Sequence, residues 1–268
     1  MNILIVNTSD VHGGAAIAAF RLMNALLGEG EHVKMLVRDK QAVHASVIPA
    51  GSKLQNKFNF YLERGVIFLR NGFTKRHLFD ISIANTGLSI TDLPAFREAD
   101  VIHLHWINQG MLSLDEIGRI IASGRKIVWT MHDMWPFTGI CHHAAGCIRY
   151  ERSCGDCPWL RTPSRNDLSH RLFITKQVVY SRGRITFVAC SNWLRELAAK
   201  SPLTTGHRVV SIPNPIDTAV YIPMDKSEAR RRLNLPMDKK IVLFAAVKAA
   251  DPRKGMDYLA AASRIMAQ

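Results

Sequence analysis

The strongest constraint on this chain lies in residues 2–37. An apolar run, Asn2–Asn7, meets a polar turn ending in Gly13-Gly14. An alanine-rich stretch, Ala15–Leu27, follows and stops at Gly28-Glu29-Gly30, and His32–Val37 is apolar again. The first run is continuous rather than alternating, as in a strand buried on both faces. Alanine-rich segments favour helix. The expectation is a βαβ unit, which requires a parallel sheet.

The alternation continues. Strands are expected over Phe79–Ala84, Val101–Trp106, Lys126–Met131, Ile185–Cys190 and His207–Ile212. Helices are expected over Leu114–Ala122 and Trp193–Lys200. Strands alternating with helices predict an open α/β sheet covered on both faces. Residues 1–222 form this first domain, with a cysteine-rich insertion at 139–160. Residues 223–268 read as a linker and the start of a second Rossmann-like domain: a strand over Lys240–Val247, then a helix over Met256–Met266. So short a piece lacks a core of its own, which predicts that the second domain is cut short.

The 268 residues include 35 Lys and Arg against 22 Asp and Glu, a formal charge of +13. Such an excess suits phosphorylated ligands, an anionic membrane surface or nucleic acid. The basic residues are dispersed, and no reading helix or aromatic platform is recognisable, so nucleic acid is not expected. No apolar run is long enough to span a bilayer, and the N-terminus lacks a basic leader. The expected location is cytoplasmic, with a peripheral position at the inner face of the cell membrane. Lys53–Arg76 interleaves Leu54, Phe58, Tyr61, Leu62, Phe68 and Leu69 with basic residues. That pattern fits either an interfacial helix or an ordinary core-facing one.

Several groups carry chemistry. Gly13 and Gly14, beside His12, precede a helix whose free N–H groups suit an anion. The turn is not G-x-G-x-x-G, which argues against a dinucleotide. His103 and His105 share one face of their strand, and His132-Asp133 ends the next strand, so imidazoles gather at one sheet edge. Cys141, Cys147, Cys154 and Cys157 hold four of the five cysteines within one short stretch. In a reducing compartment such grouping favours a structural zinc site, with disulfides or unlinked thiols as alternatives. Lys248 and Lys254 flank a strand-to-helix turn suited to a diphosphate. There is no D-x-D pair to hold a metal against a nucleotide-sugar, and no P-loop.

Read together, these stretches resemble the family 4 glycosyltransferases, retaining enzymes of the GT-B fold. The resemblance is carried by His12-Gly13-Gly14-Ala15-Ala16, Asp100-Val-Ile-His103-Leu-His105, Thr130-Met-His132-Asp133, Ala189-Cys-Ser191-Asn-Trp193, Ile212-Pro-Asn214-Pro-Ile-Asp217 and Pro252-Arg253-Lys254-Gly255-Met256. His132 to Gly139 with the four cysteines and Pro158 is similar to a bacterial capsular and exopolysaccharide subgroup that includes colanic-acid-type transferases. The resemblance implies transfer of a sugar, with retention, from a nucleotide-sugar to a glycan or lipid-linked acceptor, with no catalytic cofactor. It implies that Gly13, Gly14, Lys248 and Lys254 meet the donor phosphates. His103 matches the active-site histidine, and His12, His105, His132 and Asp133 border the substrate. Two departures stand out. Phe244-Ala-Ala-Val-Lys248 lacks the family's glycine, and the family's E-x7-E pair falls past residue 268. The expectation is therefore that this chain alone has little or no transferase activity. The alternative is a non-catalytic module that binds a glycan or a partner.

Overall fold

The computed structural model describes residues 1–247 and 249–266, and divides the chain into two units, Met1–Asp217 and Thr218–Gln268. In the first unit, β1 (Asn2–Ser9), α1 (Gly14–Gly28), β2 (His32–Asp39), β3 (Val47–Pro49) and α2 (Lys53–Arg70) come first. A short α3 (Pro94–Arg97) leads into β4 (Val101–Leu104), α4 (Leu114–Ala122) and β5 (Lys126–Met131). A long loop with short 3-10 turns reaches α5 (Leu168–Tyr180). Then come β6 (Ile185–Ala189), α6 (Asn192–Ala199) and β7 (Arg208–Ser211).

The seven strands form one parallel sheet in the order β3-β2-β1-β4-β5-β6-β7. This is the Rossmann-like α/β architecture expected from the N-terminal alternation. Its strand order reverses between β1 and β4, and open α/β sheets bind ligands at the carboxyl end of that reversal. Strand β1 shows why both faces are covered. Ile3 and Ile5 pack with Ala19 and Met23 of α1, whereas Leu4 and Val6 belong to the larger core on the other face, with Ile102, Leu104 and Trp129. The helices begin on polar caps: Ser52, Ser113, Asp167 and Ser191 each accept a first-turn N–H from α2, α4, α5 and α6. Helix α1 is different, because its N-cap is Gly13 and no side chain caps it.

Two strand expectations fail. Phe79–Ala84 forms only an isolated bridge, Ile81 to Cys141. Its backbone is taken by side chains of α2: the Glu63 carboxylate accepts the N–H groups of Ile83 (2.8 Å) and Ala84 (2.9 Å), and Arg64 donates to the Leu78 and Ile81 carbonyls. A ladder needs those groups free. In the second unit, described by itself, α7 (Lys226–Arg232) and α8 (Met256–Met266) are helical, but residues 241–247 form no strand. Most of their apolar side chains are exposed, Leu243 at 85%. A strand needs a neighbour to pair with, and the described residues of this unit contain none.

Helix α2 stops at Arg70 rather than Arg76, where Gly72 and Phe73 take left-handed φ. Its orientation is the larger surprise. Asn56, Asn59, Glu63 and Arg64 are buried, and Leu54, Phe58, Tyr61, Leu62 and Leu69 are exposed.

Candidate active site at the carboxyl edge of the sheet

The turns that leave the strands at the β1/β4 reversal enclose a cavity of about 550 Å3. After β1, Ser9 Oγ accepts the N–H groups of Val11 (3.3 Å) and His12 (3.1 Å). The buried Asp10 carboxylate takes those of Gln41 and Ala42. These bonds set the loop that delivers Gly13 at φ 91° and ψ 164°, a region open essentially to glycine alone. Gly13, Gly14, Ala15 and Ala16 all line the cavity. A Cβ built on Gly13 or Gly14 meets nothing within 4 Å. The first turn of α1 therefore presents uncapped N–H groups, and the positive end of its dipole, to open space.

The opposite wall comes from β4, β5 and β6. Asp133 Oδ2 accepts from Trp106 Nε1 (2.7 Å) and pairs with His142 Nδ1 (2.7 Å), and Oδ1 accepts the Trp135 N–H (2.9 Å). Burial opposes its charge, but the His142 imidazole and these donors outweigh it and hold the carboxyl below its ordinary value. Asp133 thus braces the wall. His132 lines the cavity, and its Nε2 is 2.9 Å from His105 Nδ1. His103 stands behind, its ring 4.5 Å from that of His105 and its Nε2 2.8 Å from Thr130 Oγ1. Burial lowers the pKa of His103 and His132 to about 4, and that of His105 well below 6.5. All three are neutral imidazoles at physiological pH. They offer hydrogen bonds, not positive charge. The positive groups at the cavity are the start of α1 and Arg38, whose guanidinium is shared with Asp39 and the Gln109 carbonyl.

Residues 12–220 match the family described as Glycosyltransferase Family 4. The chain belongs to glycosyltransferase family 4. It is 27% identical, over 191 residues, to the putative colanic acid biosynthesis glycosyl transferase WcaC of Escherichia coli strain K12, covering 67% of this chain and 45% of that protein. It is 30% identical, over 165 residues, to the D-inositol 3-phosphate glycosyltransferase of Acidothermus cellulolyticus, covering 59% of this chain and 30% of that protein. The chain thus spans less than half the length of either curated relative.

Within this family 4 chain, the structure brings His12, Gly13, Gly14, His132 and Asp133 to one cavity. His105 backs His132, and His103 lies one step further in and does not line the cavity. Lys254 lies in the second unit, in a 3-10 turn ended by Gly255 at φ 74°. Lys248 falls outside the described residues. Sequence reasoning missed Arg38, Trp106, Cys190 and Asn214, all of which line the cavity. Cys190 is partly exposed there: its thiol donates to Asn214 Oδ1 (3.1 Å) and lies 3.7 Å from His132 Nδ1. The missed signal was positional, since each of these residues ends or follows a strand.

The other four cysteines lie in the β5–α5 loop, around a separate cavity of about 20 Å3. All four are free thiols. Among the described residues no three His, Cys, Asp or Glu side chains are grouped to hold a metal ion. Burial pushes the Cys141 and Cys154 thiols up to about 12. Cys141 and Cys157 pack with Ile67, Ile81 and Ile140. Nearby, Lys176 is fully buried. Its Nζ donates to the carbonyls of Trp135 (2.6 Å) and Thr138 (2.9 Å) and sits 3.4 Å from the Trp135 ring centroid.

Proposed function

We propose that this chain supplies the acceptor-side half of a retaining glycosyl transfer from a nucleotide-sugar to a glycan or lipid-linked acceptor in bacterial polysaccharide assembly. One observation carries the reading: the uncapped N-terminus of α1 opens into the cavity that His132 lines, at the strand-order reversal. As the bond from sugar to diphosphate breaks, negative charge grows on the departing phosphate oxygens. Amides aimed at that charge stabilise the transition state more than the ground state. The neutral imidazole of His132, held by His105, hydrogen-bonds a sugar hydroxyl without competing for the anion. Retention requires the acceptor hydroxyl to attack from the side the diphosphate leaves. Colanic acid assembly, named for the Escherichia coli relative, suggests the class of product. The test is transfer by this chain joined to a complete donor-binding domain, from a panel of nucleotide-sugars onto lipid-linked acceptors, with the anomeric configuration of the product read by NMR. Product of inverted configuration, or none from any donor, overturns the proposal.

A membrane-surface position is proposed on the outward face of α2. Leu54, Phe58, Tyr61 and Leu69 are exposed there beside Lys53, Lys57 and Arg70. An apolar stripe with basic flanks suits the headgroup boundary of anionic lipid. Among the described residues no helix is long and apolar enough to cross a membrane.

A further inference from the structure

The loop between β5 and α5 folds around another cavity, of about 580 Å3, which shares no lining residue with the one at the strand reversal. Its two walls are the segments 149–156 and 165–170. They approach closely at Gly155, where φ is +97° and a Cβ would stand 2.5 Å from the Arg165 carbonyl oxygen. Hydrogen bonds fix the frame: Arg149 Nη1 donates to the Asp156 carbonyl (2.8 Å), and the Asp156 N–H to the Ser164 carbonyl (2.7 Å). His170 Nδ1 lies 3.0 Å from the Ser153 carbonyl. A carbonyl only accepts, so Nδ1 carries the proton and Nε2 is left for another partner.

Three guanidinium groups, of Arg149, Arg152 and Arg165, line this cavity against one carboxylate, Asp156. The guanidinium groups of Arg152 and Arg165 have no hydrogen bond or ion pair with any described residue, and the Asp156 carboxylate has no ion pair. Like charges gathered in one concavity repel unless an anion joins them. Guanidinium forks match phosphate oxygens two at a time. We infer that this cavity binds a diphosphate group. The space exceeds what a single phosphate fills and has room for a second. The inference does not depend on the transfer reaction proposed above.

The test is protection of Arg152 and Arg165 in the full chain from phenylglyoxal, a guanidinium reagent, mapped by peptide mass spectrometry. Inorganic pyrophosphate is expected to protect both, whereas sodium chloride of equal ionic strength is not. A water-soluble short prenyl diphosphate protecting at lower concentration than pyrophosphate assigns the site to a lipid carrier's headgroup; equal protection assigns it to the free diphosphate. In calorimetric titrations with pyrophosphate, one binding component is expected to weaken at least about tenfold in Arg152→Ala/Arg165→Ala. Lys53→Ala/Lys57→Ala, an equal loss of charge elsewhere, is expected to leave it unchanged. The inference is overturned if pyrophosphate leaves the modification rates unaltered, or if chloride or an oligogalacturonate protects equally well.

Discussion

Two residues concentrate the chemistry of the candidate site. Gly13 holds a backbone conformation that a Cβ opposes, so Gly13→Ala is expected to cost about 1–3 kcal/mol of stability. Its chemical denaturation midpoint would report this, against an unchanged Gly28→Ala control, since Gly28 has ordinary φ and open space around it. His132 acts in the proposed transfer as a neutral hydrogen-bonding group, and with a complete donor-binding domain joined to the chain His132→Ala is expected to lower kcat/KM of sugar transfer by about a hundredfold. The same burial that keeps these imidazoles neutral has a thermodynamic sign. His103 and His132 have folded pKa values of about 4 against an ordinary 6.5. Between those values the unfolded chain binds more protons, so stability rises with pH across that window and is lost as pH falls through it. Melting curves from pH 7 to pH 4 would show the decline. His103→Gln and His132→Gln are expected to flatten it, and an unaltered slope in both would remove the argument.

At the scale of elements, legibility followed periodicity. Strands β1, β2, β4, β5 and β6 could be read because each is a nearly unbroken apolar run between turns. Helix α5 was not read, since its buried side includes Ser169 and Lys176 beside Phe173 and Val179. No apolar stripe marks such a helix. Phe79–Ala84 looked like a strand because its apolar residues do enter the core, as Ile81 and Ile83 show. What pairs with its backbone is Glu63 and Arg64, and composition cannot reveal that. The apolar stripe of α2 was legible, but its direction was not. Burial of Glu63 and Arg64 decides the direction, and it yields a prediction. Phe58→Ser/Tyr61→Ser is expected to reduce co-sedimentation with vesicles containing anionic lipid at low salt while leaving the melting temperature nearly unchanged. Undiminished binding would assign the attraction to charge alone.

At the scale of the whole molecule, strand order makes the site. Gly13, Trp106, His132, Cys190 and Asn214 are scattered over two hundred residues and become neighbours only because β1, β4, β5, β6 and β7 lie side by side. The histidines and glycines were found in the sequence because their chemistry is conspicuous. Arg38, Cys190 and Asn214 were not, because only the parallel register brings them to the same edge. The sheet and this cavity both lie within Met1–Asp217. That segment alone is expected to unfold cooperatively, within a few degrees of the full chain, and a broad, non-cooperative melt would contradict the division into units. The bare start of α1 has a cost of its own. Most helices in this fold begin on a serine or aspartate, and here evolution has left the amides without an internal mate. A selection for heat resistance acting on this protein would find that doorway early, plug it with a polar side chain, and lose the guest for which it was left open.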